Sequence, residues 1–313
     1  TIFESIIALF GELYIPTGCT FHVTQLNVSS VLTVYGGGAL YGNGTTVSES
    51  CFSLTAGADL TINDIEIYNF RYGIQGVSGI VNIDIKNSNL HDNSFGVYIQ
   101  SLCTLVSISI KRNSISKCII GVYINSATVG NITIESNKLF DIEQDTLIQN
   151  TVYAIHIGLL VISVGVVSIR FNNINGVSNT GAFDTHGILL NCKNITTYES
   201  ISISSNEIHN ITSLDTVNHH GIYTNAPCII QGNTITGVSG TQGAINIKAG
   251  SEGSYVKNNT ISYIDSQIEG SGIVCFENNV VIESNKINNC PGDSICCVTN
   301  TIGDYATFHN LRV

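Results

Sequence analysis

The sequence predicts an all-β protein, a single-stranded parallel β-helix of about 9–11 coils capped by a short N-terminal helix. Two repeats in step predict it. The first is an apolar residue, two variable residues, an Asn, one variable residue and then Ile or Leu. It recurs at Asn63, Asn113, Asn137, Asn172, Asn206, Asn233, Asn259 and Asn285, with Ser88 filling the slot once, at successive spacings of 25, 25, 24, 35, 34, 27, 26 and 26 residues. The second is a small residue before an apolar one, at Gly73, Gly96, Gly121, Ala154, Gly187, Gly221, Gly243 and Gly272. A third observation excludes the helical alternative, because no segment beyond residue 10 sustains an apolar period of 3.6.

Short Ile- and Val-rich strands separated by Asn, Gly and Ser turns cannot bury an apolar face alone, but they can by stacking. A unit of about 25 residues suits three short strands per coil, with coils about 4.8 Å apart. The repeated Asn is expected at an inward-facing turn, bonding its own backbone and the equivalent amides above and below. The landmark glycines are expected to supply a backbone conformation that a Cβ resists.

In chain order, residues 1–10 place Ile2, Phe3, Ile6, Ile7 and Phe10 on one helical face, which predicts a cap over the first coil. Gly11 ends it, and residues 12–18 read as a strand closed by a turn containing Pro16. Strands follow around residues 20–23 and 31–35, then the glycine-rich turns at 36–38 and 41–44. The repeats run from Leu60, residues 290–298 read as one more coil, and 304–313 read as a tail or the start of a further module. The expected organisation is one domain over 1–313, with cap and first strand at 1–18, coils at 19–300 and a tail at 301–313.

Composition narrows the function classes. Apolar residues make up 43%, yet no run approaches the roughly 18 needed for a spanning helix, so no membrane insertion is expected. Charged residues make up only 11%, the net charge is −11, and the 12 Lys and Arg form no basic cluster. That excludes the electrostatic footprint of a nucleic-acid binder and disfavours anionic polymers. Ten cysteines without a CxxC pair are expected mainly as buried thiols.

The capped helix, the strand ending in Tyr14-Ile15-Pro16-Thr17-Gly18 and the Asn-x-Ile coils resemble the right-handed parallel β-helix proteins of the pectin-lyase-like superfamily. That group includes pectate lyases, polygalacturonases, uronan epimerases and phage tailspike depolymerases. The polygalacturonase pattern is not met: Asn179-Thr180 is followed by Gly181, His186-Gly187 lacks a preceding Gly, and no Arg-Ile-Lys occurs. A lyase-like elimination would need Arg or Lys, which the inserted loops lack. The nearest style is the viral tailspike or polysaccharide depolymerase. The resemblance implies a polysaccharide or cell-surface glycan as partner, a homotrimer, and an extracellular or virion-surface location.

The chemistry is expected where the coils swell. Counting from ladder residue to landmark gives 10, 8, 8, 17, 15, 15, 10 and 13 residues, so three adjacent coils bulge at one turn. Long loops on a rigid scaffold are where binding and catalysis concentrate. Glycosidic cleavage needs a proton donor and a second carboxylate about 5–5.5 Å away for retention, or roughly 6.5–9.5 Å for inversion. Asp184 and Asp215 are the first candidate pair, with Asp145 and Glu143 as alternative partners. His186, His220, His219, Tyr153 and Tyr223 are the candidate sugar-binding residues. No metal site or cofactor is expected, since His186, His220 and Asp184 match no ligand motif, and a bound cation such as calcium stays open. The competing expectation is a non-catalytic adhesin or surface spike with the same fold.

Overall fold

The computed structural model describes residues 11–297 apart from 46–48, 127, 145–150, 160–164, 181–182, 193–200, 214–218, 240–242, 266–269, 278 and 293. Three parallel sheets of 11 strands each make up the fold, and every third strand along the chain joins the same sheet. The first sheet runs from Glu12–Tyr14 to Val281–Glu283, the second from Thr20–His22 to Lys286–Asn288, and the third from Leu26–Val28 to Ile295–Cys297. The described residues therefore form a parallel β-helix of eleven coils, including the coil expected near residue 295. No helix occurs among the described residues. The cap helix expected over residues 1–10 and the tail at 301–313 lie outside them.

Register explains why these residues become strands. Ile62, Ile85, Ile110, Ile134, Ile169, Ile203, Ile230, Val256 and Ile282 pair in one unbroken column of the first sheet, all fully or almost fully buried. β-branched side chains fit such a pleated stack, and each coil completes the burial of the one beneath it. Six of the cysteines, Cys51, Cys103, Cys118, Cys192, Cys228 and Cys275, are buried as free thiols. Burial pushes the Cys118 thiol up to about 12 and Cys228 up to about 11.

The Asn ladder lies at the corner between the first and second sheets. Asn113, Asn137, Asn172, Asn206, Asn233, Asn259 and Asn285 are buried there, with Ser88 one coil earlier. Each ladder position follows a residue in the left-handed region: Asn87, Arg112, Ser136, Phe171, Ser205, Gly232, Asn258 and Ser284 have φ from 53° to 66°. Only one of these eight is glycine, and the ladder hydrogen bonds hold the others in place against a steric penalty of roughly 1–2 kcal/mol each.

Two register expectations need correction. Asn63 is not a ladder residue: it pairs with Lys86 in the first sheet, and Asn87 Nδ2 donates to its Oδ1 at 2.8 Å. Ile65 holds the slot, its N–H bonding Ser88 Oγ at 3.2 Å. The hexapeptide at 60–65 matches the repeat two residues out of phase. Likewise Gly243 is one residue early, because Ile222 pairs with Ile245 and so sets Ala244 beside Gly221.

The landmark glycines also act differently from expectation. None of Gly73, Gly96, Gly121 or Gly187 has a positive φ. A Cβ on Gly96 would stand 2.5 Å from the Gly121 carbonyl oxygen, and one on Gly187 2.7 Å from that of Gly221. The constraint is close approach of stacked backbones, not conformation.

Candidate functional site

The landmark residue and the apolar residue after it both turn inward on the third sheet. Ile74, Val97, Val122, Ile155, Ile188 and Ile222 are fully buried in the core, and a Cβ on Gly121 or Gly187 would meet Leu139 or Ile208 across it. The residues one before and two after the landmark therefore both face outward, a local break in alternation. Stacking turns them into two columns. One holds Tyr72, Phe95, Ile120, Tyr153, His186 and His220. The other holds Gln75, Tyr98, Tyr123, His156, Leu189, Tyr223 and Asn246.

The rings touch in one band. Tyr72 and Phe95 lie 5.1 Å apart, Phe95 and Tyr98 4.8 Å, Tyr98 and Tyr123 5.1 Å, and Tyr123 and His156 4.6 Å. Tyr153 meets His156 at 4.6 Å and His186 at 5.6 Å, and His186 meets His220 at 5.2 Å and Tyr223 at 5.6 Å. Within a column several pairs are nearly parallel, at 10° for Tyr153 and His186 and 16° for His186 and His220. Those ring faces are spent on one another. The band is therefore suited to offering the edges and hydroxyls of its half-buried tyrosines more than flat faces, while His156, His186 and His220 are buried.

The imidazoles are neutral at pH 7. Burial lowers His156 to about 4 and His186 well below the usual histidine range, with the His220 field adding to the latter. His220 is lowered to about 3, chiefly by burial, against the opposing hydrogen bond to the Gly243 carbonyl. That bond, 2.8 Å long, needs Nδ1–H as donor, which leaves Nε2 to accept from Asn246 Nδ2 at 3.2 Å. Nδ1 of His156 and Nδ1 of His186 are buried with no hydrogen-bond partner. Burial raises Tyr153 and Tyr223, and the carboxylate of Asp184 raises both further.

Of the residues singled out from the sequence, Tyr153, His186, His220 and Tyr223 come together in the band, with Asp184 close enough to act on both tyrosines. His219 is fully buried one position earlier and pairs with Thr185. Glu143 is exposed on the second-sheet strand Lys138–Gln144 and pairs with Ser178, away from the third-sheet columns. Asp145 and Asp215 lie outside the described residues. Among the described residues no three His, Cys, Asp or Glu side chains converge to hold a metal ion. Sequence reasoning missed His156, Tyr123, Tyr98, Phe95 and Tyr72. Their signal was present one residue before and two after each landmark, where aromatic and His residues recur.

No protein-family model matches the sequence, and no curated protein matches it. Solved structures do. A DFA-IIIase from Arthrobacter chlorophenolicus A6, solved without its lid, superposes with a TM-score of 0.50 at 12% identity, covering 95% of this chain and 86% of that one. The catalytic unit of a GH87 alpha-1,3-glucanase from Streptomyces thermodiastaticus strain HF3-3 gives 0.47 at 15% identity, covering 98% and 63%. The tailspike protein of E. coli bacteriophage HK620, in complex with a pentasaccharide, gives 0.48 at 9% identity, covering 90% and 62%. What the chain shares with the first of these is its fold, the right-handed parallel β-helix.

Proposed function

We propose that the protein recognises a polysaccharide along the outer face of the third sheet and cleaves its glycosidic bonds with carboxylate assistance. The aromatic and imidazole band from Tyr72 to Tyr223 carries this reading. It is a continuous ring stack on a rigid scaffold, in which the half-buried Tyr72, Tyr98, Tyr123, Tyr153 and Tyr223 can offer hydroxyls to a sugar over a backing of buried, neutral imidazoles. Tyr153, His186, His220 and Tyr223 hold the sugar, with His219 behind them. Asp184 and Asp215 act as the acid and its partner, with Asp145 and Glu143 as alternatives. Side chains on adjacent coils start about 4.8 Å apart and those two coils apart about twice that, so stacking offers both carboxylate separations that glycosidases use.

One observation favours a second reading, a non-catalytic adhesin. Of the four candidate acids only Asp184 is placed beside the band among the described residues, and Glu143 is on another sheet. Incubation with a panel of polysaccharides separates the two. New reducing ends, lost by on the order of 10²-fold or more in Asp184→Asn, support cleavage. Retained binding without new ends makes the protein a binding module, and absence of both overturns the reading. The proposal includes an extracellular or virion-surface setting and a homotrimer. Light scattering of the purified chain reads the latter.

A further inference from the structure

The corner that holds the Asn ladder inside carries cations outside. Lys86 and Lys111 end two neighbouring strands of the first sheet, Gly79–Lys86 and Cys103–Lys111, and pair directly in register. Arg112 follows at the turn, and its Nε donates to Asn87 Oδ1 on the coil below at 3.1 Å. Stacking thus gathers three cations that the sequence scatters. Like charges directly opposite on a sheet repel, and Lys86 is offset by Asp84 at 3.3 Å. Glu135 pairs in register with Lys111 from the coil above, but its carboxylate is held by Arg170 at 3.2 Å. Among the described residues the Lys111 ammonium makes no ion pair or hydrogen bond, and neither does an Nη of Arg112. The chain has 23 Asp and Glu against 12 Lys and Arg, so carboxylates are in excess, yet these two cations have none. Arg112 also stands at φ 56°, a conformation that glycine or asparagine takes at lower cost.

We infer that this corner is a docking site for a sulfate or phosphate ester group carried on a polymer. The two Nη groups of Arg112 form a fork for two oxygens, and the Lys111 ammonium beside it supplies a point charge for a third. A tetrahedral ester offers three such oxygens, whereas a carboxylate offers two. The site is an exposed ridge, so one free anion gains little there. A polymer gains more, because Lys138 and Arg170 continue the corner one and two coils on, at about 4.8 Å per coil. The net charge of −11 does not cancel the site. At physiological salt, fields are screened beyond about 8 Å, so a bound ester responds to the cations beside it more than to distant acids. The residues flanking the fork, Asn63, Asn87 and Ser109, are polar, which favours a polymer over a lipid surface.

The corner lies outside the third-sheet band, so its test stands apart from the glycan reading of that face. Dextran sulfate, unmodified dextran and oligogalacturonide are titrated against the whole chain by calorimetry at low salt. Lys111→Gln/Arg112→Gln is compared with Lys257→Gln/Lys286→Gln, which removes the same charge from the last two coils. We expect wild type to bind dextran sulfate more tightly than either other polymer, with an affinity that falls steeply as salt is added. The corner variant should bind it about tenfold more weakly, while the distant variant changes less than about twofold. Arg112→Lys, which keeps the charge and loses the fork, should weaken binding by about threefold. No binding of dextran sulfate, or equal losses in the two double variants, overturns the site. So does equal or tighter binding of dextran or oligogalacturonide, and that comparison uses the unaltered chain, so it decides the matter even where a variant folds poorly. Vesicles of phosphatidylglycerol form the other arm: retention that the corner variant abolishes, with dextran sulfate left unbound, gives the corner to a lipid surface and overturns the polymer.

Discussion

Two buried polar stacks run along this solenoid, and they are finished differently. At the corner between the first and second sheets, Asn206 Oδ1 accepts from the backbone N–H and the Nδ2 of Asn172, at 3.0 and 2.9 Å. Its Nδ2 donates to Ile169 O at 2.9 Å and to Asn233 Oδ1 at 3.0 Å. Every capacity of that side chain is used. On the outer face of the third sheet, His156 and His186 each keep a buried ring nitrogen without a partner. A closed polar network fixes a fold, whereas an open one retains capacity for something else to bind.

The sharpest way to break that contrast is to remove one rung of the closed stack. Asn206→Ala strands the Asn172 amide and the Ile169 carbonyl, so it should destabilise the middle coils by about 3–5 kcal/mol. Urea unfolding joined to hydrogen exchange reads both the size and the location, and a loss under about 1 kcal/mol would remove the structural role assigned to the corner.

Acid should next reveal the open stack. His156 has a folded pKa near 4 against an unfolded value of 6.5, so the unfolded chain binds more protons between them. Stability therefore falls as pH drops through 6.5 and goes on falling to about 4, by about 3 kcal/mol for this group. His220, lowered to about 3, extends the loss further. Denaturant midpoints at pH 7 and pH 4.5 measure it, and His156→Phe should flatten the slope relative to wild type.

Smaller still is relief of strain beside the ladder. Phe171 is exposed at φ 57°, and Phe171→Asn should raise stability by about 1 kcal/mol, since Asn tolerates that conformation. Smallest in stability is His186→Phe. It removes a nitrogen that already lacks a partner, so the midpoint should move by less than about 1 kcal/mol while glycan affinity drops at least tenfold. A large loss of stability with unchanged affinity would reverse the roles given to the two regions.

Much of the fold could be read from spacing because each coil repeats the same burial problem. Asn113 through Asn285 and the Ile column beside them follow directly from the Asn-x-Ile period. The failures have physical causes. Asn63 and Gly243 satisfy the pattern one or two residues out of phase, and only pairing identifies Ile65 and Ala244 as the true occupants. Left-handed residues such as Arg112 and Phe171 carry no local signature, because backbone hydrogen bonds to neighbouring coils, not their own propensity, hold them. The candidate site was legible only in part. Counting loop lengths drew attention to His186 and His220, while the ring band needed the columns on either side of the landmark to be read vertically.

The measurement that tests the central claim most directly is a crystal structure of the whole chain with the neutral oligosaccharide that binds it best. Sugar density is expected along the third sheet between Tyr123 and Tyr223. Sugar density on the outer face of the first or second sheet, with the band left bare, would contradict it.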